Sequence, residues 1–65
     1  MKNIIRSLRK DRDWTQGELG EKLGVSRQAI NAIETGKFDP SLPLAFKITS
    51  LFKQPLETIF TEDVG

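Results

Sequence analysis

The 65-residue chain has neither cysteine nor histidine, and only one tryptophan and one methionine. Without cysteine there is no disulfide to hold the fold together. Without cysteine and histidine together, a zinc site built from those ligands is excluded. The same two absences remove the commonest general base and the strongest nucleophile at neutral pH. The carboxylates are scattered over helix surfaces and helix starts, Ser26 and Ser41 read as helix caps, and no glycine-rich loop follows a strand. An enzyme is therefore not expected: no residue is assigned a catalytic or metal-binding role, and no cofactor is called for. Long apolar runs are missing too, so no membrane span is expected, and no secretory leader pattern opens the chain. Cytoplasmic residence follows as an expectation.

A chain this short buries only about 60% of the surface its unfolded form exposes. Its stability must come from well-formed helix packing or from a second chain. The net charge is only +1, but it is unevenly placed. Residues 1–14 carry Lys2, Arg6, Arg9, Lys10 and Arg12 against Asp11 and Asp13. Residues 15–37 are balanced, and residues 38–65 carry more acid than base. One end would favour phosphate while the other is repelled by it. Charge alone does not separate this reading from ordinary solvated faces.

The densest set of signals lies between Thr15 and Lys37. Thr15 and Glu18 form the Thr-x-x-Glu pattern of a capping box, so a helix starts there. Leu19 and Leu23 share one face of it. Gly24 follows where a helix commonly ends in a left-handed residue. Ser26 is a second N-cap, and the spacing predicts a further helix over 27–34 with Ala29, Ile30 and Ile33 as its inner stripe. Gly36 and Lys37 close it. Gly20, inside the first of these helices, costs about 1 kcal/mol relative to alanine. It makes sense where a second helix crosses very close by. Two such helices joined by a glycine-containing turn make a helix-turn-helix. The face of the second helix left outside is polar, with Arg27, Gln28 and Asn31, all suited to pairing with base edges in the major groove.

These residues carry a family resemblance. Gln16, Glu18, Leu19, Gly20, Lys22, Leu23, Gly24, Val25, Ser26, Arg27, Gln28, Ile30, Ile33, Glu34, Gly36 and Lys37, extended by Pro40, Ser41, Leu42, Leu44, Ala45 and Ile48, fall in one register. In that register the chain resembles the lambda repressor/Cro-type (XRE) helix-turn-helix proteins over nearly its whole length. Gly17 stands where that family more often has a better helix former, and Trp14 replaces a smaller aliphatic residue. The flanks are read in the same frame. A first helix is expected over about 3–12, with Ile4 or Ile5 and Leu8 inward and Asp13 as its left-handed stop. Trp14 serves as a core anchor before the Thr15 cap. Ser41 caps a fourth helix over 42–52 with Pro43 in its first turn, Leu44, Ile48 and Leu51 as its inner stripe, and Leu42, Ala45 and Phe52 beside it. Phe46 points away from that stripe. A short fifth helix follows over 55–60, then a polar tail from Thr61 to Gly65.

The fold expected is thus all-α, a five-helix lambda repressor-like DNA-binding domain, residues 1–65 forming one domain and the whole protein. The resemblance implies a transcriptional regulator, usually a repressor, binding double-stranded DNA at a near-palindromic operator as a homodimer. No small-molecule ligand is evident. Base contacts are expected from Arg27, Gln28, Asn31 and the Ala32 methyl. Gln16, Ser26 and Lys37 match family positions that contact phosphate, and the resemblance pairs Arg9 with Glu34 in an ion pair. The dimer surface is sought in Leu56, Ile59 and Phe60, three large apolar residues on a very short helix, with Leu44, Phe46 and Leu51 beside them. A rival reading is an antitoxin-type module that mainly holds a protein partner; only Thr61 to Gly65 remains beyond the last helix to wrap one.

Overall fold

A computed structural model describes residues 1–62. In chain order the elements are β1 (Lys2–Asn3), α1 (Ile5–Asp11), α2 (Gln16–Leu23), α3 (Arg27–Glu34), α4 (Leu42–Phe52), α5 (Leu56–Ile59) and β2 (Phe60–Thr61). Helices dominate, and each of the three longest begins at a side chain able to cap it. Thr15 Oγ1 accepts from the Glu18 N–H at 3.0 Å while the Thr15 N–H donates to Glu18 Oε1 at 3.0 Å, completing a capping box. Those Thr15 hydrogen bonds hold the Glu18 carboxyl below its ordinary range. Ser26 Oγ accepts from the Ala29 N–H at 3.1 Å and Ser41 Oγ from the Leu44 N–H at 3.3 Å.

The helix-turn-helix is set by two glycines. Gly24 ends α2 at φ +76, a left-handed conformation that costs glycine little. Gly20 has no room for a side chain: a Cβ there would stand 2.6 Å from the Val25 carbonyl oxygen. The Val25 N–H meanwhile donates to the Gly20 carbonyl at 2.9 Å. The backbone of the turn thus lies directly on α2, and this contact fixes where α3 starts. Asp13 takes the left-handed region at φ 58 after α1, as its short polar side chain allows. Lys53 does the same after α4, at φ 55, without a composition signal that would have foretold it.

Ile5, Leu8, Leu19, Leu23, Ile30, Ile33, Ala45, Ile48, Phe52, Ile59 and Phe60 form one buried cluster, with Trp14, Val25, Leu44 and Leu51 packed partly against it. Ile5 is inside and Ile4 is exposed, which settles the register of α1. The Trp14 ring lies 5.9 Å from that of Phe52, tilted by 36°. Lys22 Nζ lies 4.6 Å from the Trp14 ring centre and the Arg12 guanidinium 4.9 Å from that of Phe52, so cations cover the outer edge of this aromatic pair.

Three expectations are corrected. The first helix starts at Ile5 rather than Asn3, because Lys2–Asn3 pairs antiparallel with Phe60–Thr61. Asn3 is then engaged: its Oδ1 accepts from the Ile5 N–H at 3.2 Å and its Nδ2 donates to the Ile33 carbonyl at 2.8 Å. By the same pairing Phe60 and Thr61 form a strand, so the short last helix ends at Ile59 and Thr61 is not tail; residues 63–65 of the expected tail lie outside the described residues. Finally, α4 is turned so that Ala45, Ile48 and Phe52 face the core, with Leu44 and Leu51 half-buried and Leu42 exposed. Its apolar residues surround most of the helix, so periodicity alone admits either rotation. The Phe52 ring, matched to Trp14, belongs to the observed one.

The two helical glycines of α2 make opposite predictions. Gly20→Ala gains helix propensity but must displace backbone, and a net loss of about 1–3 kcal/mol is expected. At Gly17 a Cβ would meet only Thr15 Oγ1, at 3.8 Å. Gly17→Ala is expected to raise stability by roughly 0.5 kcal/mol. Urea denaturation of both variants checks the pair; a Gly20→Ala protein as stable as the wild type would contradict the close crossing.

Candidate nucleic-acid interface

The polar face of α3 is open. Arg27, Gln28 and Asn31 are exposed, and Ala32 is half-buried beside them. Ile30 and Ile33, on the opposite side of the same helix, are buried at 1% exposure each. Burial of those two therefore fixes which side chains α3 presents outward. The first-turn N–H groups of a helix have no acceptor within it. At α2 and α3 the cap side chains take only the third of them, at Glu18 and Ala29, leaving the first-turn amides of Gln16, Gly17, Arg27 and Gln28 directed along the two helix axes. Positive dipole ends and outward N–H groups suit an anion.

Glu34, the last residue of α3, organises the ground beneath this face. Its side chain is only 3% exposed and that of Arg9 10%. Arg9 Nε donates to Glu34 Oε2 at 2.7 Å and Arg9 Nη2 to Oε1 at 3.1 Å, a two-pronged pairing. Arg9 Nη1 donates to the Trp14 carbonyl at 2.9 Å. Gln16 Nε2 donates to Glu34 Oε1 at 3.1 Å and to Asn31 Oδ1 at 3.2 Å. One carboxylate therefore joins α1, the start of α2, and α3. Burial works against its charge, but the Arg9 and Gln16 hydrogen bonds outweigh burial and hold the Glu34 carboxyl below its ordinary value of 4.5. The hydrogen bonds to Glu34 raise the Arg9 guanidinium in turn.

The remaining site residues separate. Ser26 is at the α3 N-terminus, its oxygen accepting from Ala29. Lys37 is exposed beyond the other end of α3, its N–H bonded to the Ala32 carbonyl at 3.0 Å. Gln16, expected at phosphate, has its side-chain amide engaged with Glu34 and Asn31, which leaves its backbone N–H, in the first turn of α2, for that contact. Arg12, counted among the basic residues of the N-terminal stretch, is exposed but held against the chain, donating to the Leu8 and Phe52 carbonyls at 3.0 and 3.5 Å. Lys10 had no role in the motif. The fold places it with Arg27 around an open hollow at the start of α2 that Asp13, Trp14 and Thr15 also line. Its membership of the basic N-terminal run was the only signal for it.

A turn-joined helix pair with a buried inner stripe and an open polar second helix defines a helix-turn-helix protein. The helix-turn-helix family matches residues 5–59. The chain is 55% identical to an HTH-type transcriptional regulator of Methanocaldococcus jannaschii, over 92% of this chain and 91% of that one. It is 45% identical to one of Bacillus subtilis over the same shares. A longer putative HTH-type regulatory protein of Haloarcula marismortui is 42% identical over 82% of this chain but only 16% of its own length. The chain belongs to the lambda repressor/Cro-type (XRE) helix-turn-helix family of DNA-binding transcriptional regulators, and is not an enzyme. No helix among the described residues is long and apolar enough to cross a membrane.

The Arg9–Glu34 pair yields a double-mutant prediction. Arg9→Met or Glu34→Gln alone strands a partner, at a cost of about 3–5 kcal/mol in the fully buried limit. The double variant should lose less than the sum, and additive losses would mean no coupling. A depressed folded-state pKa adds stability that is complete above the unfolded value and lost as pH falls through the folded one. Thermal stability should therefore decline below pH 4.5, and Glu34→Gln should flatten part of that decline.

Proposed function

We propose that the protein is a cytoplasmic repressor that binds a near-palindromic DNA operator as a homodimer. The observation that carries the reading is the face of α3. Arg27, Gln28 and Asn31 stand exposed together beside the open N-termini of α2 and α3, on a helix braced from below by Arg9 and Glu34. Gln28 is the principal base contact: its side chain makes no hydrogen bond among the described residues, so it keeps the donor and the acceptor that adenine pairs with. Arg27 takes guanine or phosphate, and the Ala32 methyl lies against thymine. Ser26, Lys37 and the Gln16 backbone N–H hold phosphates on either side, and Lys10 joins them.

Salt and sequence dependence separate these roles. Lys37→Ala should weaken binding to all duplexes alike and reduce the slope of log affinity against log salt by roughly one. Gln28→Ala should cost about 1–3 kcal/mol and relax preference at one base pair per half-site. Selection of bound sequences from random duplexes, followed by salt titration, reads both. A Gln28→Ala protein with undiminished preference for the wild-type site would refute the assignment.

A single α3 reads only a few base pairs, and two-fold dimers of this class place their recognition helices one DNA turn apart, about 34 Å. The contact between subunits then lies away from the N-termini of α2 and α3. Ile59 and Phe60 are not available for it. They are 0% and 8% exposed, enclosed in the monomer's own core, and their place in the expected dimer surface is withdrawn. Phe46 and Leu56 remain exposed at 59% and 39%, with Leu44 and Leu51 half-buried on α4. An isologous contact through this patch gives the required symmetry and adds apolar burial to a small core. Sedimentation at micromolar concentration should show a dimer that Phe46→Glu dissociates. A strict monomer, with operator and without, would defeat the proposal.

A further inference from the structure

Gly36, at φ +79, turns the chain back over the end of α3. The Lys37 and Phe38 N–H groups then both donate to the Ala32 carbonyl, at 3.0 and 3.2 Å, and Thr35 Oγ1 donates to the same oxygen at 3.2 Å. The start of the loop between α3 and α4 is thereby fastened to the helix that carries Arg27, Gln28 and Asn31. Phe38 is held there with 52% of its surface exposed, and it belongs neither to the core nor to the partly buried residues packed against it. Burying a phenyl ring is among the larger apolar gains a side chain makes. Within this chain the ring does not make it in full. Lys37, its neighbour, is exposed as well. Asp39, the acid of the same loop, is paired with the Met1 ammonium at 3.0 Å, so its charge is already met.

A DNA strand presents two chemistries in alternation along its backbone. The phosphate takes a cation or a hydrogen-bond donor, and the deoxyribose offers an apolar C–H face. Base edges are read chiefly from the N-terminal part of a recognition helix, and the loop beyond its other end meets the backbone. Lys37 and Phe38 are consecutive there and carry the two matching side chains. We propose that the Phe38 ring packs on a deoxyribose of the operator backbone, beside the phosphate that Lys37 holds. The proposal rests on the DNA-binding reading above and adds to it an apolar contact that carries no base preference. Such a contact releases no counterion, so its signature differs from that of a phosphate contact: affinity changes and salt dependence does not.

Salt titration of the wild type, Phe38→Ala and Phe38→Lys on the selected operator and its single-base variants tests this. Phe38→Ala should weaken all of these duplexes alike, about fivefold, with the slope of log affinity against log salt unchanged. Phe38→Lys should steepen that slope by roughly one, because the position then meets the backbone with a charge. The ring is exposed, so both variants should keep the wild-type urea midpoint. Undiminished affinity of Phe38→Ala overturns the proposal, and so does a flattened slope or a changed base preference in that variant. A wild-type slope in Phe38→Lys places the position off the DNA and overturns it too. So does a Phe38→Ala protein that sediments as a monomer where the wild type is a dimer, since the ring then belongs between subunits. A wild type that binds no duplex defeats the DNA-binding reading and this proposal with it; firm wild-type binding with a silent Phe38→Ala defeats this proposal alone.

Discussion

The carboxylate of Glu34 is nearly closed off from solvent and has three claimants. Arg9 of α1 grips it by two nitrogens, and Gln16 at the start of α2 donates to it as well. A charge in that position is tolerable only because every requirement is met together: a full countercharge, hydrogen bonds to both oxygens, and a second anchor for the guanidinium on the Trp14 carbonyl. Removing any one partner leaves the others unsatisfied. The relative placement of α1, α2 and α3 is therefore specified in a way that apolar contacts, which tolerate sliding, would not provide. Among the described residues no buried side-chain nitrogen or oxygen lacks a partner, so this network is complete rather than strained.

Around this network the apolar residues supply the bulk of the free energy without direction. The core is small, and its composition is economical: α1 to α4 contribute two or three buried apolar residues each, α5 contributes Ile59 alone, and the last strand adds Phe60. Where the core approaches the surface, cations close it. Arg12 and Lys22 lie over Phe52 and Trp14, contributing attraction to the ring faces while keeping their charges in water. Of the basic residues of the N-terminal stretch, Arg9 is buried against Glu34 and the exposed Arg12 is held over Phe52 by hydrogen bonds to the Leu8 and Phe52 carbonyls. Lys10 lines the hollow at the start of α2 together with Arg27.

The recognition face and the core are thus mechanically linked. Ile30 and Ile33 decide which side of α3 looks outward, Gly20 decides how closely its start lies against α2, and Glu34 fixes its end. Arg27, Gln28 and Asn31 lie exposed, off the core, while a change in the residues beneath them moves the face they stand on.

The helices of the motif, their caps and the α4 boundaries were legible in the chain because they depend on neighbours within four residues. Thr15 with Glu18, Ser26 with Ala29, and Gly24 in a left-handed turn are local solutions to unsatisfied backbone groups, and they hold wherever the segment is placed. The outward set of Arg27, Gln28 and Asn31 was legible for the same reason, since a helical period with two isoleucines leaves one polar face. Other features needed the tertiary structure. The rotation of α4, the strand that Lys2–Asn3 makes with Phe60–Thr61, and the burial of Ile59 and Phe60 all depend on partners dozens of residues away. The inward turn of the Gln16 amide is of the same kind: a polar side chain at a helix start suits phosphate equally well until a buried carboxylate 18 residues further along the chain claims it. Local pattern states what each residue is able to do; only the packed molecule decides which of several satisfiable partners it meets.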